Sequence, residues 1–363
     1  MKRKAPYLIA LFLLLPLLVL CLFLQAVPIE VQEAHRVYVP EKWDQYGQNG
    51  LAPGTNLSQR RIMETDTAVA YTDRVFRLLS ISDQQAGYAL QAAKALQNAC
   101  PGVKNVYLLP IPSRAVLEPD YPEQTEQFEG FVEELEETGN VINVLPQLEA
   151  NGGRNLFFRT ESSWTMEGAF YGYQAILEKL GMEPDDLLGY RKYLFGDFHG
   201  SVLTAQKAQC KSEKLLEQLW EIPDDPYVLY INGRNPNREK LTQRNEEDGT
   251  IQTFARRTVR MSSMGPNGIV GGNHFLHSMV NGQGQGGIVL VTDQAGKLLA
   301  PYLSEAYEWV YVVNVLEDKG FRQDLPGILE EIGADTVIYA ATENHMGNQS
   351  YMRALNPFVR GEG

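Results

Sequence analysis

The sequence predicts an α/β fold with a mostly parallel central sheet, helices flanking it, and one N-terminal transmembrane or signal helix ahead of it. Three observations predict this. Short apolar runs ending in turn residues alternate with stretches of helical periodicity from Val103 to Ala341, the pattern of strands buried on both faces by crossover helices. The stretch Leu156 to Ala169, LFFRTESSWTMEGA, joins an apolar segment to a helix start with small polar and acidic residues at the junction. The chain begins MKRKAPYLIALFLLLPLLVLCLFLQA, cations followed by an apolar run.

That run, Ala5 to Leu24, is long enough to cross a hydrocarbon core of roughly 30 Å as a helix. It exceeds the ~7–15 apolar residues of a cleaved signal peptide. A single-pass anchor with the basic end in the cytoplasm is therefore expected, so that the rest of the chain lies outside the cytoplasm of a bacterial cell. Cleavage near Ala26, giving a secreted protein, is the alternative. Pro16 kinks such a span without excluding it. Cys21 lacks the small residue expected before a lipid-modified cysteine. The segments that follow are an N-terminal helix at 1–27, an extracytoplasmic entry region at 28–80 and an α/β domain at 81–363.

The entry region carries Gly and Pro at turn spacing in WDQYGQNGLAPGTNLSQR, which reads as surface loop. Asp66 to Leu79 fits a short helix or a strand. Ala89, Ala93, Leu96 and Cys100 then share a helical face, and Pro101-Gly102 ends the run. Val103 to Ile111 reads as a strand closing at Pro112-Ser113-Arg114. Phe128, Phe131, Val132 and Leu135 mark a helix whose glutamates form a solvated outer face. Asn140 to Leu145 reads as a short strand.

Past the junction, Phe170, Tyr173, Leu177 and Leu180 recur at helical spacing. Thr165 is the expected N-cap, Glu167 lies in the first turn, and Gly181 closes the helix. Tyr190 to Cys210 is glycine-rich and reads as loop or sheet edge, and Asn235 to Asp248 as an exposed charged excursion. Tyr227 to Asn232 and Thr250 to Val259 are strand candidates. The last third repeats strand and helix most cleanly: GIVLV at Gly287 to Val291, a helix through Leu298 to Leu303, a strand at Trp309 to Val315, a helix at Leu325 to Ile332 and a strand at Ala334 to Ala341.

A formal charge of −13 and the lack of a basic stripe exclude general nucleic-acid binding. Cys100 and Cys210 permit one disulfide in an oxidising compartment, or two separate buried thiols. There is no CxxC and no cluster with metal-ligand spacing, so neither metal nor cofactor is expected.

The stretch TESSWTMEGAFYGYQAI, Thr160 to Ile176, resembles the signature of the DHHW proteins, a bacterial family related to the acetyltransferase-like proteins of alginate export and to SGNH hydrolases. VYLLPIPSR at Val106 to Arg114, GGNHFLHSM at Gly271 to Met279 and VLVTDQAGKLLAPYL at Val289 to Leu303 agree with it in family order. The resemblance covers roughly residues 40 to 345 and implies an SGNH-hydrolase-like α/β domain at the cell envelope. It also marks departures. Where the family has Asp-His-His-Trp, this chain has Glu161-Ser162-Ser163-Trp164. Where related members place a nucleophilic serine after an aspartate, Gln294 follows Asp293. A serine nucleophile needs a base, and the base an orienting carboxylate. Ser163 cannot replace an imidazole, and Gln294 cannot attack as an alkoxide.

The resemblance therefore implies no catalytic residue and a degenerate set of family positions, Glu161, Ser163 and Asp293 with Gln294. Trp164, Asn273, His274 and Arg114 are binding candidates. Trp164 reads either as a core anchor or as a sugar-stacking platform. Asn273 offers an amide donor, and His274 reads otherwise as a structural residue in a glycine-rich turn. The favoured expectation is a catalytically inactive envelope protein that binds or scaffolds polysaccharide, with polysaccharide or envelope-assembly membrane proteins as partners. The alternative is an O-acetyltransferase or acetylesterase using rearranged residues such as His274, Glu161 and Ser163.

Overall fold

The structure is a computed structural model and describes residues 60–99, 102–137, 139–152, 155–183, 186–232, 239–244, 251–255, 276–281, 285–314 and 325–360. The expected N-terminal span, Cys100, Asn273 and His274 lie outside the described residues. Among those described, no helix is long and apolar enough to cross a membrane.

Asp66 to Leu79, open between helix and strand from sequence, is strand. β1 (Arg61–Glu64), β2 (Ala68–Tyr71) and β3 (Val75–Arg77) make an antiparallel three-stranded sheet. Val69, Tyr71 and Phe76 from it join the same core as α1 (Gln85–Ala99) and β4 (Asn105–Ile111). α2 (Pro122–Glu136) follows as expected. The strand expected at Asn140 to Leu145 shrinks to one parallel bridge between Val141 and Leu108. The reason is local: Pro146, at the start of α3 (Leu145–Ala150), turns the chain into helix.

α4 (Met166–Lys179) begins at Thr165, whose hydroxyl accepts from the backbone N–H of Glu167 and of Gly168 at 3.2 Å each. It ends at Gly181 with φ +73°. The Met182 N–H bonds to the Leu177 carbonyl and the Gly181 N–H to that of Glu178, the paired bonds of a glycine-terminated helix.

Of the loop or sheet edge expected at Tyr190 to Cys210, sheet edge holds for β5 (Tyr190–Phe198), while the rest is helix, α5 (Ser201–Gln209). Its glycines have other uses: Gly196 sits at a register irregularity opposite β6 (Asp225–Asn232), and Gly200 is the N-cap of α5. After α6 (Glu213–Trp220), the expected excursion at Asn235 to Asp248 contains β7 (Glu239–Arg244), which pairs with both β8 (Ile251–Ala255) and β9 (Leu276–Asn281). Tertiary pairing there overrides a charged composition.

The remaining elements match closely: β10 (Gly287–Thr292), α7 (Ala300–Ala306), β11 (Trp309–Val313), α8 (Leu325–Ile332) and β12 (Thr336–Thr342). A final helix, α9 (Gln349–Arg360), was not anticipated. The main sheet runs β4-β12-β10-β11-β9-β7-β8. Its first four strands are parallel and its last three antiparallel, so the expected parallel character holds for four strands only.

The sheet explains the unbroken apolar run of β10. Ile288 and Leu290 face the core shared with α4 and α7, while Val289 and Val291 face the core shared with α1, α2, α8 and α9. From β10 the chain passes to β11 on one side, then returns through α8 to β12 on the other. The carboxyl end of β10 is thus the point where connections diverge, the place where open α/β sheets leave a crevice for a ligand.

Candidate functional site

Three segments meet at that rim. The first is the turn after β10. Asp293 is 1% exposed, and its Oδ1 accepts from the backbone N–H of Ala295 (3.0 Å) and Gly296 (3.2 Å). Its Oδ2 accepts from the Thr342 N–H (2.9 Å), the Thr342 hydroxyl (2.7 Å) and His345 Nδ1 (2.9 Å). The second segment, Thr342 to His345 after β12, is therefore joined to the first through one carboxylate. Burial alone would push the Asp293 carboxyl up. The bonds from His345 and Thr342 outweigh it and hold the group below the usual carboxylate range. The same bond holds His345 above the usual imidazole range, against the effect of burial.

Glu343, two residues before His345, is fully buried. Burial pushes its carboxyl up to about 7, with the Ser113 hydroxyl beside it pulling the other way. Close to neutral pH this group is therefore divided between acid and carboxylate. The His345 side chain is 43% exposed. Its geometry is that of an oriented imidazole: a buried carboxylate fixes Nδ1 and leaves Nε2 outward for solvent or ligand.

The third segment is the loop from Phe157 to Trp164, closed by an antiparallel bridge between those two residues. Asp225, fully buried, anchors it by accepting from the backbone N–H of Arg159 (2.7 Å) and Thr160 (2.9 Å) and from the Thr160 hydroxyl (2.5 Å). The Glu161 carboxylate accepts from the backbone N–H of Ser162 and of Ser201, at 2.7 Å each. It works as a clamp between this loop and the start of α5. The Ser163 carbonyl accepts from the Phe158 N–H at 3.2 Å.

Trp164 is fully buried, so it is a core anchor and offers no face to a sugar. Its indole N–H donates to the Ala295 carbonyl at 2.9 Å, which ties the loop to the turn after β10. Gly168 and Gly172 make the room. A Cβ on Gly172 would come within 2.6 Å of the indole, and one on Gly168 within 2.8 Å of the Trp164 Cβ. Arg114, just after β4, donates through Nε to Glu118 at 2.6 Å and through Nη1 to the Phe157 carbonyl at 3.4 Å. Burial pushes the Glu118 carboxyl up, but Arg114 and Arg74 together hold it low.

The structure thus brings Glu161, Ser163, Trp164, Arg114, Asp293 and Gln294 to linked segments of one rim. Sequence reasoning assigned no role to His345 or Glu343. The available signal was position: Thr342-Glu343-Asn344-His345 leaves a buried parallel strand just as Asp293 does. It read His199 as a structural residue and did not pair it with Asp224, which lies 2.5 Å from its Nδ1. Neither described imidazole is bonded to a serine: the other partners are Lys207 for His199 and Thr342 for His345.

No curated protein matches the chain. Among solved structures, a DHHW family protein from Eubacterium siraeum matches over 81% of this chain and 96% of its own, at 15% identity and a TM-score of 0.62. Bacillus cereus PatB1 carrying a sulfonyl adduct matches over 80% of this chain and 99% of its own, at 13% identity and a TM-score of 0.58. At these identities the likeness is one of fold. The family model of the DHHW proteins matches residues 142–313, a span that holds the Trp164 loop and the Asp293 turn together. Through those residues, the chain is similar to the DHHW proteins.

Proposed function

We propose that this chain is an extracytoplasmic, membrane-anchored DHHW-type protein that binds or scaffolds envelope polysaccharide, its serine-based acyl-transfer chemistry lost. One observation carries the reading: neither described imidazole has a serine hydroxyl as partner. Without a base on its hydroxyl, a serine at this rim stays a weak nucleophile. At the turn after β10, moreover, the side chain next to Asp293 is an amide. The extracytoplasmic location is supported by the apolar run Ala5 to Leu24 behind its basic start. Polysaccharide as the ligand rests on the family resemblance.

The test has two arms on the full chain in detergent. A sulfonylating reagent, the type of adduct borne by the PatB1 structure, is expected to leave the intact mass unchanged. Polysaccharide isolated from the cell envelope is expected to retard the chain in affinity electrophoresis. Stoichiometric sulfonylation at one serine of the rim would overturn the loss of chemistry and favour acyl transfer by rearranged residues. Absence of retardation would overturn the binding role.

A further inference from the structure

A second cluster lies beside the Trp164 loop, outside the family positions. α6 is amphipathic, with Leu219 fully buried, yet its last residue, Trp220, is 65% exposed. A tryptophan left this open forgoes a large burial gain. The Lys207 ammonium, from α5, stands 3.8 Å from the centre of the indole ring. The same ammonium is 3.3 Å from His199 Nε2, and His199 Nδ1 is 2.5 Å from Asp224 Oδ1. An ammonium can only donate. Nε2 is therefore its acceptor, and Nδ1 is turned to Asp224.

This cluster is fixed relative to the rim. Gly200 and Ser201, which follow His199, donate their backbone N–H groups to the Thr160 hydroxyl (2.9 Å) and to Glu161 (2.7 Å). No side chain fits at Gly200, where a Cβ would fall 2.0 Å from the Thr160 carbonyl oxygen. An aromatic plate, a cation with donors to spare and a carboxylate are thus arrayed in a row next to the loop from Thr160 to Trp164.

We infer that Trp220, Lys207, His199 and Asp224 form a carbohydrate subsite, which stacks one pyranose ring of a glycan on the uncovered side of the indole. The C–H face of a pyranose suits an aromatic plate, and its ring hydroxyls suit an ammonium donor beside a carboxylate acceptor. One face of the indole is already under Lys207, so the ring offers a single platform. A glycan held there continues toward Glu161 and Ser162. The inference rests on the polysaccharide-binding reading and gives it an address.

The test uses the full chain, the isolated envelope polysaccharide and three hexasaccharides, of glucose, N-acetylglucosamine and a uronic acid. Binding of whichever probe the wild type takes is expected to weaken about tenfold in Trp220→Ala, a stacking-sized loss. It is expected to weaken no more than about threefold in Trp220→Tyr, where an aromatic plate remains. Circular dichroism checks that both variants fold, as an exposed position allows. Equal binding by wild type and Trp220→Ala overturns the subsite while leaving the broader reading intact. Equal loss in the Ala and Tyr variants overturns the stacking. A wild type that binds none of the four probes overturns both readings together.

Discussion

His345 Nδ1 lies 2.9 Å from Asp293 Oδ2, and with the two Thr342 bonds to the same oxygen this contact joins the turns that leave two neighbouring parallel strands. Its strength depends on both charges. Asp293 is held low in the fold, so its contribution is present above the ordinary aspartate range and is lost as pH falls through the folded value. His345 is held high, so its contribution is complete below about 6.5 and is lost as pH rises through the folded value. The two shifts describe one interaction and are counted once. His345→Ala is expected to destabilise by about 1–2 kcal/mol at pH 5.5, a charge-assisted bond discounted for partial exposure. The difference should shrink at pH 9. Thermal melts at the two pH values check this, and an undiminished gap at pH 9 would remove the charge from the explanation.

Glu343 has the opposite sign from an ordinary carboxylate. Its folded value is raised to about 7, so the fold loses stability as pH climbs from about 4.3 toward 7, where the buried group must ionise. Glu343→Gln should therefore be neutral at pH 4 and stabilising by roughly 2 kcal/mol at pH 8. Denaturant midpoints at the two values decide it. A variant that is no more stable at pH 8 would mean that the carboxylate is solvated there.

Trp164 and Gly172 should behave as a coupled pair. Gly172→Ala drives a Cβ to 2.6 Å from the indole and is expected to cost about 1–3 kcal/mol by overpacking. Trp164→Phe removes the bond to Ala295 and part of the ring, at about 2–4 kcal/mol. In the double variant the smaller ring frees the space the new methyl needs, so the costs should fall short of additive by at least about 0.5 kcal/mol. Simple additivity would show that the helix shifts to relieve the clash.

Asp225 is the hub of the motif loop, holding Arg159 and Thr160 from a position with no exposure. Asp225→Ala leaves those donors and the Arg159 guanidinium without it. The expected cost is about 3–5 kcal/mol, measured by urea unfolding. A loss below about 1 kcal/mol would mean that water replaces the carboxylate.

Serine alone should not restore reactivity at the turn after β10. Gln294→Ser is expected to remain unmarked by a sulfonylating reagent, because a hydroxyl there still lacks a base. Labelling of this variant that disappears on adding His345→Gln would instead identify His345 as able to serve as one.

Much of this arrangement was legible in the chain. Thr165, Glu167 and Gly181 announced α4 because caps are local chemistry, decided by residues within one turn of each other. GIVLV announced β10 because a strand covered on both faces needs no polar alternation. Glu239 to Arg244 hid a strand, since what holds EKLTQR in the sheet is the partner on either side rather than its own composition. His345 was hidden for a related reason: its meaning comes from Asp293, 52 residues earlier in sequence, and no spacing rule spans a strand crossing. Trp220 was overlooked because a tryptophan at the end of an amphipathic helix looks like core until the helix is seen to turn it outward.

The indole of Trp164, seated against two glycines and bonded to Ala295, belongs to the joinery rather than the tools. Two distant segments are held in register by a contact that involves no reacting atom, so the residues around it are free to change while the register survives. A search keyed to that tryptophan therefore reports descent, and activity has to be assayed one chain at a time.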